Sequence, residues 1–328
     1  MYCALAGMSE ISSLSRIARA LTALVCIPIS ASLAADVTSA DVASSEVTAR
    51  VEALREAALA SILEKGSRIL RIGERLRTSG IDLCPEEQRL VWGVITATER
   101  ELVNLSLVPW KSRRHSDRDV EILWVEPGSP ADRAGLAVGD VVVSLDGKRL
   151  KKSTDLYRGV ADDDHESAAL EVRRGGAHLE VSLPIVPGCF AAAGLWISDE
   201  VNGYKTHHGV YLTSGLLRFA TSDDELAVIL GHEFGHAILE TGNKPHYEAD
   251  ADYIGLYLAA RAGYQIEAAP GFWRRMAVRN PYSLINSRDP GFRTHPRSPG
   301  RTLSLQATIR EIREKQAAGV PLEPEVPE

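Results

Sequence analysis

Apolar residues recur at helical spacing from Val51 to Arg77 (Leu54, Ala58, Ile62, Leu63, Ile69, Leu70, Ile72, Leu76) and predict one long helix, weakened at Gly66 and Gly73. Residues 36–48 are small and polar and predict a mobile stretch before it. Residues 90–97, Leu-Val-Trp-Gly-Val-Ile-Thr-Ala, read as a strand. A second helix is expected over 222–241. Ser222 with Glu225 forms a capping box, Asp223 and Asp224 sit in the first turn, and Gly242 stands at the stop. Its apolar face is Leu226, Ile229, Leu230, Phe234, Ala237 and Ile238. The next helix carries Tyr253, Ile254, Tyr257, Leu258 and Ala262 on one side and ends at Gly263.

Between these helical regions the pattern changes. The strand Val120–Val125 leads into Pro127-Gly128-Ser129-Pro130-Ala131, a short helix stopped at Gly135, the strand Val141–Leu145 and the turn Asp146-Gly147-Lys148. The run GSPADRAGLAVGDVVVSLDGK resembles a bacterial PDZ domain covering residues 117–185. The resemblance implies a β-rich module that takes a peptide or protein ligand by adding it as a strand to a sheet edge. The glycine–hydrophobic loop that captures a terminal carboxylate is not expected here, because the region in question reads Arg118-Asp119-Val120-Glu121.

Residues 1–34 have the layout of a secretory signal. Arg16 and Arg19 precede an uncharged run that includes Pro28, and Ser32-Leu33-Ala34 resembles a cleavage motif. Export, with a periplasmic destination and a possible peripheral membrane or envelope-complex contact, is therefore the expectation. Cys3 and Cys26 would leave with that segment, so Cys84 and Cys189 remain and are expected to form a disulfide in an oxidising compartment. The bond would staple the two ends of the PDZ segment to one host domain, built from 50–115 and 188–320. A net charge of −7 and 6% aromatic residues exclude a nucleic-acid surface.

The chemistry is concentrated in His232-Glu233-Phe234-Gly235-His236, an H-E-x-x-H on the second helix. Four residues is about one turn, so both imidazoles leave one face and can share a metal. Glu233 then stands beside them, where a general base belongs. Two imidazoles leave a catalytic zinc one ligand short, and His246, Glu248, Asp250 and Asp252 are all candidates.

Together with E-x-x-x-D and ADYIGLYLAARAGY, this motif resembles the HtpX and CAAX-prenyl-endopeptidase-type zinc metallopeptidases. The upstream VNGYKTHHGVYLTSGLL and the downstream THPRSPGR extend the likeness. It implies an α+β fold: a mainly helical zincin-type domain with a small edge sheet, here with an inserted PDZ domain. It implies one Zn2+ per chain on His232, His236 and Glu248, Glu233 as base, and Asp252 behind a ligand. His295 would aid the oxyanion or close the metal site, and Arg301 would neutralise nearby carboxylates. The substrate would be a polypeptide of the envelope, under quality control, paired along Gly209, Val210, Tyr211 and Leu212. The chain departs from that family in the short spacing of twelve positions from His236 to Glu248 and in Asn202-Gly203, where Asn-Ala is usual. A zinc closed by His295 or His246 would instead suit a PDZ-based binding or chaperone-like protein.

Overall fold

The computed structural model describes residues 44–84, 88–105, 118–158, 166–189, 192–206, 209–240, 248–279 and 299–325. The expected signal segment, His207, His208, His246 and His295 lie outside them. Helix α1 (Ser44–Ser79) runs for 36 residues, about 54 Å, and starts within the stretch expected to be mobile. Its first turns are exposed, and an i,i+4 pair, Glu46 with Arg50 at 2.7 Å, braces them. Farther on the helix has two working faces. Ile69, Ile72 and Leu76 enter the main core, while Leu70 joins a separate cluster with Ile95, Ala97 and Leu102.

After a 3-10 turn (Ile81–Leu83), β1 (Gln88–Leu90) pairs antiparallel with the later strand β8 (Pro187–Cys189). Cys84 and Cys189 form a disulfide beside this ribbon, with Cα atoms 5.6 Å apart. Buried Arg77 of α1 ties the neck from below: its Nε donates to the Cys189 carbonyl at 2.8 Å and its Nη2 to Leu90 O at 3.4 Å. The chain therefore leaves for the PDZ module and returns through one narrow, cross-linked passage.

The module is an antiparallel sheet in the order β2 (Val94–Ala97), β3 (Val120–Val125), β4 (Val141–Leu145), β6 (Ser167–Arg174), β7 (Ala177–Pro184), with β5 (Lys148–Arg149) hung from β4. Alternation is clear in β6, where Ala168, Leu170 and Val172 are buried and Ser167 and Ala169 exposed. The short helices α2 (Glu99–Asn104) and α3 (Pro130–Arg133) carry the side-chain caps their sequences favour, Thr98 with Glu101 and Ser129.

Three expectations change here. The sheet begins at β2, inside the stretch first given to the host domain (50–115), because β2 pairs with β3. The single strand expected over 90–97 is two strands broken at 91–93, where Gly93 adopts φ 76°. Val120 and Glu121 belong to β3, which is flanked on both sides, so they are not the loop that precedes an edge strand. That position belongs to Trp92-Gly93, before β2, and there the Gly93 N–H donates to a carboxylate, Glu74 of α1, at 2.8 Å.

The remaining elements form the helical half. A three-stranded sheet runs β10 (Gly203–Thr206), β11 (Gly209–Thr213), β9 (Ala192–Trp196), with β11 antiparallel to β10 and parallel to β9. Around it lie α4 (Ser214–Phe219), α5 (Asp223–Glu240), α6 (Glu248–Arg261), α7 (Ala268–Arg279) and α8 (Pro299–Ala318). Leu226, Leu230, Ile254, Leu258 and Phe272 join Ile69 and Ile72 of α1 in one core. Among the described residues no helix is long and apolar enough to cross a membrane.

Candidate metal centre

The site sits between α5 and α6, and small residues bring these helices together. Adding a Cβ to Gly231 would put it 2.5 Å from Gly255 O, and one on Gly235 would lie 2.5 Å from Ala251 O. Gly231 stands directly before the motif and Gly235 inside it, so the helix axes approach where the histidines emerge. The N-terminus of α5 is fixed as expected on one side only. Ser222 Oγ accepts from Glu225 N at 3.2 Å, while the Glu225 carboxylate takes the Thr221 N–H at 2.8 Å and pairs with Arg275 at 2.6 Å.

Three of the expected residues converge. One ligand atom each from His232, His236 and Glu248 lies within 4.8 Å of the others. His232 Nε2 is 3.4 Å from Glu248 Oε2, and His236 Nε2 is 3.3 Å from Glu248 Oε1. His232 is 1% exposed, whereas the side chains of His236 and Glu248 each keep 16%, so the cluster opens on that side. Two imidazole nitrogens and a carboxylate are the donor set of a catalytic zinc with a position left for substrate or water, and the residues fit that ion.

Behind the cluster stands a charged support. His232 Nδ1 lies 2.8 Å from Asp252 Oδ1, and Arg301 holds the same carboxylate with two bonds, Nε to Oδ2 at 2.6 Å and Nη2 to Oδ1 at 2.7 Å. Arg301 Nη1 is also 3.8 Å from Glu248 Oε2, and the guanidinium stacks 3.6 Å above the Trp273 ring of α7. Burial pulls the His232 imidazole down, but the Asp252 charge and hydrogen bond, with Glu248 adding, outweigh it and raise the group to about 9. Burial acts on Asp252 in the opposite sense, and His232 and Arg301 prevail to hold it below the usual carboxylate range. Asp252 thus keeps the imidazole proton on Nδ1 and turns Nε2 toward the cluster.

Glu233 is buried, 4% exposed, and faces β10: a Cβ on Gly203 would come 3.0 Å from its Oε1. A small, mostly apolar pocket opens there, lined by Gly203, Leu216, Ile229, Phe272, Trp273 and Met276 beside Glu233. Lys205 lies two residues beyond Gly203 and so on the same face of β10. Burial lowers its ammonium while the Glu233 charge pulls the other way. Lys205, Trp273 and the glycines of the helix pair were not among the expected site residues. The G-x-x-x-G spacing around the motif was the signal for the glycines.

One expectation is corrected. Gly209, Val210, Tyr211 and Leu212 form β11, which has β10 on one side and β9 on the other. Their main-chain groups are already paired and all four residues are buried, so no substrate strand can add there. The end strand next to Glu233 is β10.

Residues 121–174 match the PDZ domain family, and residues 187–244 match peptidase family M48. The second match includes His232, Glu233 and His236 and stops before Glu248. A curated relative, the serine protease HhoB of Synechocystis, is 41% identical over 61 residues, which is 18% of this chain and 15% of that protein. The chain therefore spans only a small part of that relative. Two solved structures are similar in part. The HtrA3 PDZ domain bound to a phage-derived ligand (FGRWV) is 28% identical, covering 31% of this chain and 91% of its own, with a TM-score of 0.23. The HtrA-type protease AlgW with a decapeptide is 18% identical, covering 34% and 33%, with a TM-score of 0.25.

Proposed function

From a chain that joins an M48-type peptidase segment to a PDZ domain, we propose zinc-dependent hydrolysis of internal peptide bonds in exported polypeptides. The observation that carries this reading is the convergence of His232, His236 and Glu248 with Glu233 buried at the adjoining pocket. One Zn2+ on those three ligands would supply Lewis-acid polarisation of the scissile carbonyl and of the attacking water.

The chain's own groups do the rest. Glu233 takes the proton of the attacking water on a carboxylate oxygen and returns it to the nitrogen of the departing amine. Asp252 fixes the His232 ring and Arg301 offsets the negative charge of Asp252 and Glu248. The substrate main chain pairs with the outer edge of β10, and an apolar side chain next to the cleaved bond enters the pocket of Leu216, Phe272 and Met276. Export to the periplasm belongs to the same proposal and rests on the composition of residues 1–34.

The test compares wild type with Glu233→Gln for bound zinc and for cleavage of casein. The reading expects about one zinc in each and cleavage only in wild type, with kcat reduced at least ~100-fold by the substitution. Zinc in both proteins without cleavage by either would favour a binding protein with a structural metal instead.

A further inference from the structure

Helix α1 meets the PDZ module through apolar packing and through polar contacts, among them Arg71 Nη1 with Glu126 Oε1 at 3.3 Å and a carboxylate, Glu74, set against the loop before β2. Glu74 is half-buried, its Oε1 accepts the Gly93 N–H at 2.8 Å, and the Trp92 N–H bonds to the same carboxylate. Gly93 leads directly into β2, the end strand of the sheet, whose other edge carries no strand among the described residues. The loop is held rigidly. Gly93 O accepts from Glu126 N at 2.7 Å, and a Cβ on Gly93 would fall 2.1 Å from Ser129 Cβ.

Burial drives the Glu74 carboxyl up to about 7, although Arg77 and the two amides pull it down and Glu126 pushes it further up. The neighbouring apolar contacts of α1 with β2 are Leu70 with Ile95 and Ala97. Two polar atoms on the same stretch, Trp92 Nε1 and Thr96 Oγ1, are buried without a hydrogen bond among the described residues. Consecutive backbone N–H groups at the start of an edge strand receive the terminal carboxylate of a peptide that adds to that edge.

We infer that Glu74 occupies, from within the chain, the place at the Trp92 and Gly93 amides where a PDZ domain receives the C-terminal carboxylate of its ligand. A ligand laid along β2 then binds by displacing Glu74, and α1 acts as a built-in competitor. The proposal concerns binding alone and is independent of the hydrolytic reading.

The experiment uses the full chain as wild type, Glu74→Ala and Glu74→Gln. The probes are an array of labelled heptapeptides, each made as the free acid and as the C-terminal amide, some with an internal Asp or Glu. Free acids are expected to bind Glu74→Ala at least tenfold more tightly than wild type, with Glu74→Gln between them, while the amides gain nothing. In hydrogen exchange the Trp92 and Gly93 amides should exchange faster in Glu74→Ala and slow again when a free acid is added. Equal affinity in all three proteins, or no free acid that gains, overturns the inference. Amides that bind as well as acids, or gains that follow internal Asp or Glu, overturn the assignment to a chain terminus. If Glu74→Ala does not fold, the near-isosteric Glu74→Gln carries the same comparison, and free-acid affinity no higher than that of wild type overturns it there.

Discussion

Each half of the molecule sets a carboxylate against its own hydrogen-bond donors, and the two are treated in opposite ways. Asp252 sits between the His232 imidazole and a two-bonded Arg301, and these charges hold it below the ordinary range. Glu74 is only half-buried and receives chiefly two backbone amides, with Arg77 as its main cation, and rises to about 7. The burial cost is of the same kind at both sites. What differs is whether a full positive charge is in hydrogen-bond contact. The first arrangement locks a ligand in orientation, and the second leaves a group that the fold holds against a standing cost.

The largest effect is expected from breaking the locked site. Asp252→Ala leaves Arg301 and the His232 N–H buried without their partner, and it should cost ~3–5 kcal/mol in denaturant titrations. Zinc affinity, read by competition with a chelator, should fall roughly 10–100-fold in the protein that still folds. An affinity within twofold of wild type would remove Asp252 from its assigned role.

The next effect belongs to Glu74. Its folded-state value lies above its ordinary 4.5, so the native state binds the extra proton between those two values. The contribution of Glu74 to stability is then largest below pH 4.5, declines by roughly 3 kcal/mol as pH rises to about 7, and levels off above it. Glu74→Gln keeps an acceptor for the Gly93 N–H and should lose this slope, which makes it the more stable protein at pH 8. Parallel pH curves for the two proteins would contradict the burial argument.

Gly235→Ala tests the support of the locked site from outside it. The new methyl meets Ala251 O at 2.5 Å and forces α5 from α6, at ~1–3 kcal/mol, against a gain of up to ~1 kcal/mol in helix propensity. Zinc affinity should drop because Glu248 moves with α6, and an unchanged affinity would show that the pair has slack. Glu126→Gln is the mildest change. It removes a negative neighbour of Glu74 and should move the midpoint of that stability decline to lower pH, as followed in the same titrations.

Both helices of the metal site, with Glu248 and Asp252 among the ligand candidates, were legible in the sequence because helical spacing is local and H-E-x-x-H ties chemistry to that spacing. The PDZ segment was legible for a similar reason: its turns are written in Gly, Pro and Asp at short range. Pairings distant along the chain were not legible. That β11 is the middle strand depends on β9, which precedes it by a separate route, and periodicity carries no information about neighbours. The Trp92-Gly93 loop was passed over because nothing near it in sequence announces its partner, an acid on α1. Gly93 and Glu74 are nineteen residues apart, and only the return of β2 toward the helix joins them.

The Cys84–Cys189 bond, whose ends are 105 positions apart, makes the PDZ module part of a closed covalent ring. A single cut anywhere inside that ring would separate no fragment. The nicked protein would run as one band without reductant and as two with it, so the chain keeps a broken module attached.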